Sequence, residues 1–188
     1  MRNEAETPTS EPLDRLKTQI SRLVVGQTEV IDLLVTGLLA GGHVLLEGPP
    51  GVGKTTLAHA TARSLGLDFT RIQFTPDLMP ADITGLNVYM SSERGFEFHA
   101  GPIFTEVLLA DEINRAPPKT QAALLESMQE RQVSTDGQTH ALPVHFTTIA
   151  TQNPIDSEGV YPLPAAQLDR FLLQIVMEPP DRAAELSL

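Results

Sequence analysis

The sequence predicts an α/β domain built on a parallel sheet covered on both faces, and three observations carry that expectation. Short β-rich runs recur at His43–Glu47, Asp68–Phe74, Thr105–Ala110, His145–Thr151 and Phe171–Met177. A helical pattern or a long excursion separates each run from the next, which is the alternation a parallel sheet needs. Between the first run and the helical pattern Thr56–Leu65 lies Gly48-Pro-Pro-Gly-Val-Gly-Lys-Thr55, a strand-loop-helix order. With 188 residues and 41% hydrophobic content, the chain is long enough for one packed domain and short for two.

The elements follow in order. Residues 1–12 are polar and contain Pro8 and Pro12, so they read as a mobile tail. Leu13, Leu16, Ile20 and Leu23 recur at helical spacing, and Glu29–Leu39 reads as a second helix ending at Gly41-Gly42. Two excursions read as β-hairpins. The first joins Leu86–Met90 to Phe96–His99 across a polar turn at 91–95. The second joins Gln132–Thr135 to Gln138–Leu142 across Asp136-Gly137, a strong turn signal; both also read as plain solvated loops. A helix begins at Pro117-Pro118, and Leu163 to Arg170 contains a short helical stretch. No internal repeat or low-complexity block is present.

The segment Gly48–Thr55 fits G-x-x-x-x-G-K-[ST], in which glycines let backbone N–H groups turn inward around phosphate oxygens at a helix N-terminus. Gly48, Pro50, Gly51, Val52, Gly53, Lys54, Thr55 and Thr56 are therefore the expected nucleotide-binding residues. Lys54 would reach the β- and γ-phosphates and Thr55 would hold Mg²⁺. Val107-Leu-Leu-Ala-Asp-Glu112 is an apolar strand that delivers two carboxylates at its C-terminal end, the edge where open α/β sheets bind ligands. Asp111 would orient the Mg²⁺ shell, and Glu112 would align or deprotonate the water that attacks the γ-phosphate. Taken alone, the pair also reads as helix-start carboxylates. The run Ile149-Ala-Thr-Gln-Asn153-Pro brings an amide to the same edge, either as a sensor of the γ-phosphate or as a turn former. Arg115 either contacts a neighbouring subunit or nucleotide, or caps the helix that follows.

Charge and composition exclude several classes. The net charge of −11 argues against a surface made to neutralise nucleic-acid phosphates, so a protein partner is expected rather than a duplex. There are no cysteines, and the five histidines have no ligand spacing, so no metal beyond nucleotide-bound Mg²⁺ is expected. No run approaches the ~18 apolar residues of a membrane span and the first residues lack a signal-peptide core, which gives a cytoplasmic expectation.

Together these residues resemble the AAA+ ATPases and, within them, the MoxR family, in the group that also holds the magnesium-chelatase and MCM-type ATPases. The resemblance rests on Val-Val-Gly-Gln at 24–27, Leu45–Thr55, Asp111–Glu126, Ala150–Pro154 and Leu-Pro-Ala-Ala-Gln-Leu-Asp-Arg-Phe at 163–171, and covers roughly residues 13–180. It implies a three-layer sandwich of the P-loop NTPase kind, a sheet in the order 5-1-4-3-2, ATP and Mg²⁺ as ligands, and a hexameric ring with nucleotide between subunits. It further implies that Arg170 is the arginine finger for a neighbour's nucleotide, that Asn153 is the sensor-1 residue, and that Val25, Gly26 and Gln27 line the adenine pocket. The two hairpins correspond to the helix-2 insert and the pre-sensor-1 hairpin. Its output would be chaperone-like remodelling or maturation of a client, often a von Willebrand factor A-domain protein.

The family continues into a helical lid, so residues 181–188 read as the start of a connection to a lid that lies outside these 188 residues, with a helix starting at Asp181. Weak turnover and weak ring formation are expected for this stretch alone. Alternatives are an MCM-like motor moving on nucleic acid, a P-loop kinase, and a nucleotide-gated binding module.

Overall fold

The computed structural model describes residues 10–90, 95–154 and 159–179. In chain order the elements are α1 (Ser10–Ser21), α2 (Thr28–Leu39), β1 (Val44–Glu47), α3 (Lys54–Leu65), β2 (Phe69–Gln73), α4 (Pro80–Thr84), β3 (Gly85–Met90), β4 (Gly95–Ala100), β5 (Val107–Asp111), a 3₁₀ turn (Ile113–Arg115), α5 (Pro118–Glu130), β6 (Gln132–Thr135), β7 (Gln138–Ala141), β8 (Thr147–Gln152), α6 (Ala165–Leu168) and β9 (Leu173–Val176). Five strands form one sheet in the order β2-β5-β8-β1-β9, every neighbouring pair parallel. Counted along the sheet strands alone, that is the expected 5-1-4-3-2.

Strand periodicity divides the core between the two faces. Val44, Leu46, Val107, Leu109, Ile149 and Ile175 pack with α1, α2 and α3 through Ile20, Ile31, Leu34, Leu57 and Ala58. Leu45, Leu108, Ala110 and Ala150 face the other way, onto Leu124, Leu125 and Met128 of α5 together with Ile83, Ile103 and Phe146. β5 is buried at every position, as the central location of a parallel strand requires. The result is the three-layer sandwich, with the C-terminal ends of β1, β5 and β8 gathered on one edge.

Both hairpins form. β3 pairs antiparallel with β4 and β6 with β7. Asp136 and Gly137 have φ of +50° and +79°, the left-handed pair that a two-residue hairpin turn needs. The hairpins also hold each other: Phe98 stacks on His140 with centroids 3.8 Å apart, and Asn87 Nδ2 donates to Asp136 Oδ2 at 2.8 Å.

Element ends depart from the expectations in ways that follow from hydrogen bonding. α1 starts at Ser10 rather than near Leu13, because Pro12 lies in the first turn, where a missing N–H costs nothing. α3 starts at Lys54 rather than Thr56, so the loop's lysine is already helical. β5 starts at Val107 rather than Thr105, since the Thr105 N–H turns back to Ile103 O at 2.8 Å. The short α4 had no periodic signal and was not expected. The tail at residues 1–9, the tip of the first hairpin at 91–94 and the helix expected from Asp181 lie outside the described residues.

Candidate functional site

β1 runs straight into the glycine loop, and local sterics explain its composition. Gly51 and Gly53 have φ of +85° and +91°, a region that L side chains avoid and glycine enters freely. Gly48 is required for a different reason. A Cβ there would lie 2.4 Å from Met177 O, because the chain leaving β9 passes directly against the loop. Lys54 reaches back over the loop, its Nζ donating to Gly48 O at 2.6 Å and Pro49 O at 2.8 Å.

A cavity of about 350 Å³ opens beside this loop, lined by Pro50, Gly51, Gly53, Lys54, Thr55, Thr56, Arg71, Gln73, Asp111, Glu112 and Asn153. Three separate strands therefore deliver polar side chains to one place. Asp111, buried at the end of β5, is held from four directions. Thr151 Oγ1 donates to its Oδ1 at 2.6 Å. Its Oδ2 accepts from Thr55 Oγ1 at 3.3 Å and from Arg71 Nε and Nη2 at 3.0 and 2.8 Å. Glu112 sits in the left-handed region at φ +56°, its N–H donating to Thr151 Oγ1 at 2.9 Å. Its carboxylate accepts from Gln73 Nε2 at 2.8 Å and pairs with Arg115 Nε at 2.9 Å. Arg71 Nη2 also donates to Gln73 Oε1, so β2 links the two carboxylates through its own side chains. Asn153 is buried beyond the end of β8.

The residues fit Mg²⁺ by donor chemistry. Thr55 Oγ1 and a carboxylate oxygen of Asp111 stand within 3.3 Å of each other, a hard-oxygen pair of the sort Mg²⁺ takes alongside phosphate oxygens and water. The loop beside them leads directly into the first turn of α3, where an anion is favoured.

A second cavity, of about 590 Å³, lies on the β9 side and is lined among others by Gly26, Gln27, Val30, Leu33, Ile175 and Glu178. Gln27 Nε2 donates to Glu178 O at 2.7 Å, which ties the α1–α2 turn to the end of β9. Gly26 and Gln27 thus lie at this cavity, whereas Val25 is half-buried and Val52 packs into the core; neither lines either cavity. Arg170 is half-buried in the turn after α6 and likewise lines neither. Sequence reasoning missed Arg71, Gln73 and Thr151 as members of the site. Thr151 stood inside a quoted motif without a role, and Arg71 and Gln73 gain theirs only through the pairing of Arg71 with Leu109 and of Gln73 with Asp111 across β2 and β5.

Comparison with known proteins places the chain in a family. Residues 43–173 match the model of the ATPase family associated with various cellular activities, AAA. The chain belongs to the MoxR family of AAA+ ATPases. It is 53% identical over 163 residues to the chaperone MoxR1 of Mycobacterium tuberculosis, covering 87% of this chain and 43% of that protein. It is 52% identical over 174 residues to the uncharacterised protein YeaC of Bacillus subtilis, covering 93% of this chain and 54% of the relative. A Cytophaga hutchinsonii crystal structure described as a candidate ATPase superposes with a TM-score of 0.82 at 45% identity, over 94% of this chain and 53% of that one. The chain thus spans about half the length of the relatives it matches. Among the described residues no helix is long and apolar enough to cross a membrane.

Proposed function

We propose that this chain carries the catalytic site of an ATP-hydrolysing machine that remodels or matures a partner protein from the cytoplasm. The observation that carries the reading is the single cavity in which Lys54, Thr55, Asp111, Glu112 and Asn153 meet. In that reading the N–H groups of Gly51–Thr56 and the Lys54 ammonium bind the β- and γ-phosphates. Thr55 and Asp111 hold Mg²⁺, which when bound screens phosphate charge and aligns the oxygens for in-line attack. Glu112 orients water and takes its proton, while the Asn153 amide holds the water or a γ-phosphate oxygen without changing protonation. Gly26 and Gln27 border the space for the base. Among the described residues, Arg71 is the guanidinium that lines the cavity, and it is engaged on Asp111. The family resemblance assigns Arg170, half-buried in the turn after α6, to the nucleotide of a neighbouring protomer in a hexameric ring.

The name of MoxR1 says chaperone, and a client such as a von Willebrand factor A-domain protein fits that output. The net charge of −11 supports a protein client over the nucleic-acid track of an MCM-like motor. The deciding experiment is subunit mixing in the full-length protein. Arg170→Ala should cut hydrolysis by about 10³–10⁵ while leaving ATP binding intact, and mixing Arg170→Ala with Glu112→Gln subunits should restore part of it. Persistent activity in Arg170→Ala, or no recovery on mixing, removes the role in trans.

A further inference from the structure

Oδ2 of Asp111 is already full. A carboxylate offers about four lone-pair sites, two on each oxygen, yet three donors converge on Oδ2, namely Arg71 Nε, Arg71 Nη2 and Thr55 Oγ1, while Oδ1 accepts from Thr151 Oγ1. A divalent ion shared between Thr55 and Asp111 Oδ2 must therefore displace a donor from that oxygen. Thr151 is wholly buried in the sheet and also accepts the Glu112 N–H, so it is fixed. Thr55 is itself a ligand in the ATPase reading on which this inference rests. Arg71 alone has somewhere to go, since its side chain is 47% exposed while that of Asp111 is 9% exposed. Electrostatics selects the same residue, because a guanidinium at 2.8 Å from Oδ2 and a divalent cation on that oxygen repel strongly at such range.

We propose that Arg71 is a place-holding cation for the metal position: it keeps Asp111 ordered and charge-compensated until a divalent ion replaces it. The arrangement removes a cost that a buried, uncompensated carboxylate would impose on the fold. It also sets a threshold, because metal binding must outcompete two charge-assisted hydrogen bonds. Arg71 is thus a positioning residue whose effect is on metal selectivity and loading rather than on the phosphate chain. When it swings away it also withdraws the hydrogen bond it gives to Gln73.

The test is the gain in affinity that Mg²⁺ confers on a fluorescent ATP analogue, taken as Kd in EDTA divided by Kd in Mg²⁺. By linkage, removing a competitor of the ion raises this gain whatever it does to either Kd alone. Arg71→Gln should raise it about tenfold and Arg71→Lys, which keeps charge but loses the fork, about threefold. Melting curves establish which variant is folded, and the folded one carries the test. A gain equal to or below wild type in the folded variant overturns the proposal, as expected if Arg71 only anchors β2 and shifts both constants together. Failure of the wild-type protein to bind the analogue in either buffer overturns the ATPase reading itself, a result distinct from an unchanged gain.

Discussion

The two edges of the same parallel sheet treat similar residues in opposite ways. At the N-terminal edge, His43 and Arg131 are spent on the backbone. His43 Nδ1 accepts the Thr148 N–H at 2.9 Å and Nε2 donates to Met128 O at 3.1 Å, and Arg131 donates to Gly41 O at 2.8 Å and Phe146 O at 3.3 Å. At the C-terminal edge, Arg71 and Gln73 are spent on other side chains, Asp111 and Glu112. Backbone carbonyls have no alternative partner in a folded sheet, so the first set is structural cement. Carboxylates can exchange one cation for another, so the second set is reversible. What distinguishes a working edge from a sealed one is the exchangeability of the partners, more than the kind of residue.

Substitutions can break this contrast, beginning with the largest effect. Glu112→Gln should lower hydrolysis by roughly 10²–10⁴ with nucleotide binding retained, measured by phosphate release against analogue binding; equal loss of both would make Glu112 a binding residue. Gly48→Ala drives a Cβ against Met177 O and should cost about 1–3 kcal/mol in urea unfolding while weakening nucleotide binding. At the sealed edge only stability should respond. Burial pushes the His43 imidazole below its ordinary 6.5, with the nearby Arg131 charge acting in the same direction and the bond to Met128 O opposing. The unfolded chain therefore takes up a proton near pH 6.5 before the folded one does. Stability should be whole above pH 6.5 and fall by up to about 1.4 kcal/mol per unit as pH drops through the window below it. The drop should disappear in His43→Gln, and its survival there would move the effect to another group. Arg131→Ala should cost about 1 kcal/mol with the Kd for nucleotide unchanged.

The contrast also explains what could be read from the sequence. The meeting of Pro50, Gly51, Gly53, Lys54, Thr55, Asp111, Glu112 and Asn153 at one cavity was legible because the signals are local: a loop conformation, a strand end and an amide beside it. The five strands and both hairpins were legible from runs and turns such as Asp136-Gly137. Arg71 was not, because on β2 it reads as an ordinary outward polar residue, and its partner lies 40 positions away. Its role exists only once β2 and β5 pair in register. The placement of Val25 and Val52 away from the cavities was hidden for a similar reason, since a motif fixes which residues are near a ligand but not which of them turn toward the core.

The contact between Gly48 and the carbonyl of Met177 has a mechanical meaning. The same stretch is fastened again one residue on, where Glu178 O accepts from Gln27, and Met177 N–H donates to Glu47 O at 2.6 Å. The end of β9 is thus tied both to the end of β1, from which the loop springs, and to the α1–α2 turn. Tension applied to the chain beyond Pro179 would be felt at the loop as force rather than absorbed as slack, and a shift of the loop would be delivered outward with equal fidelity.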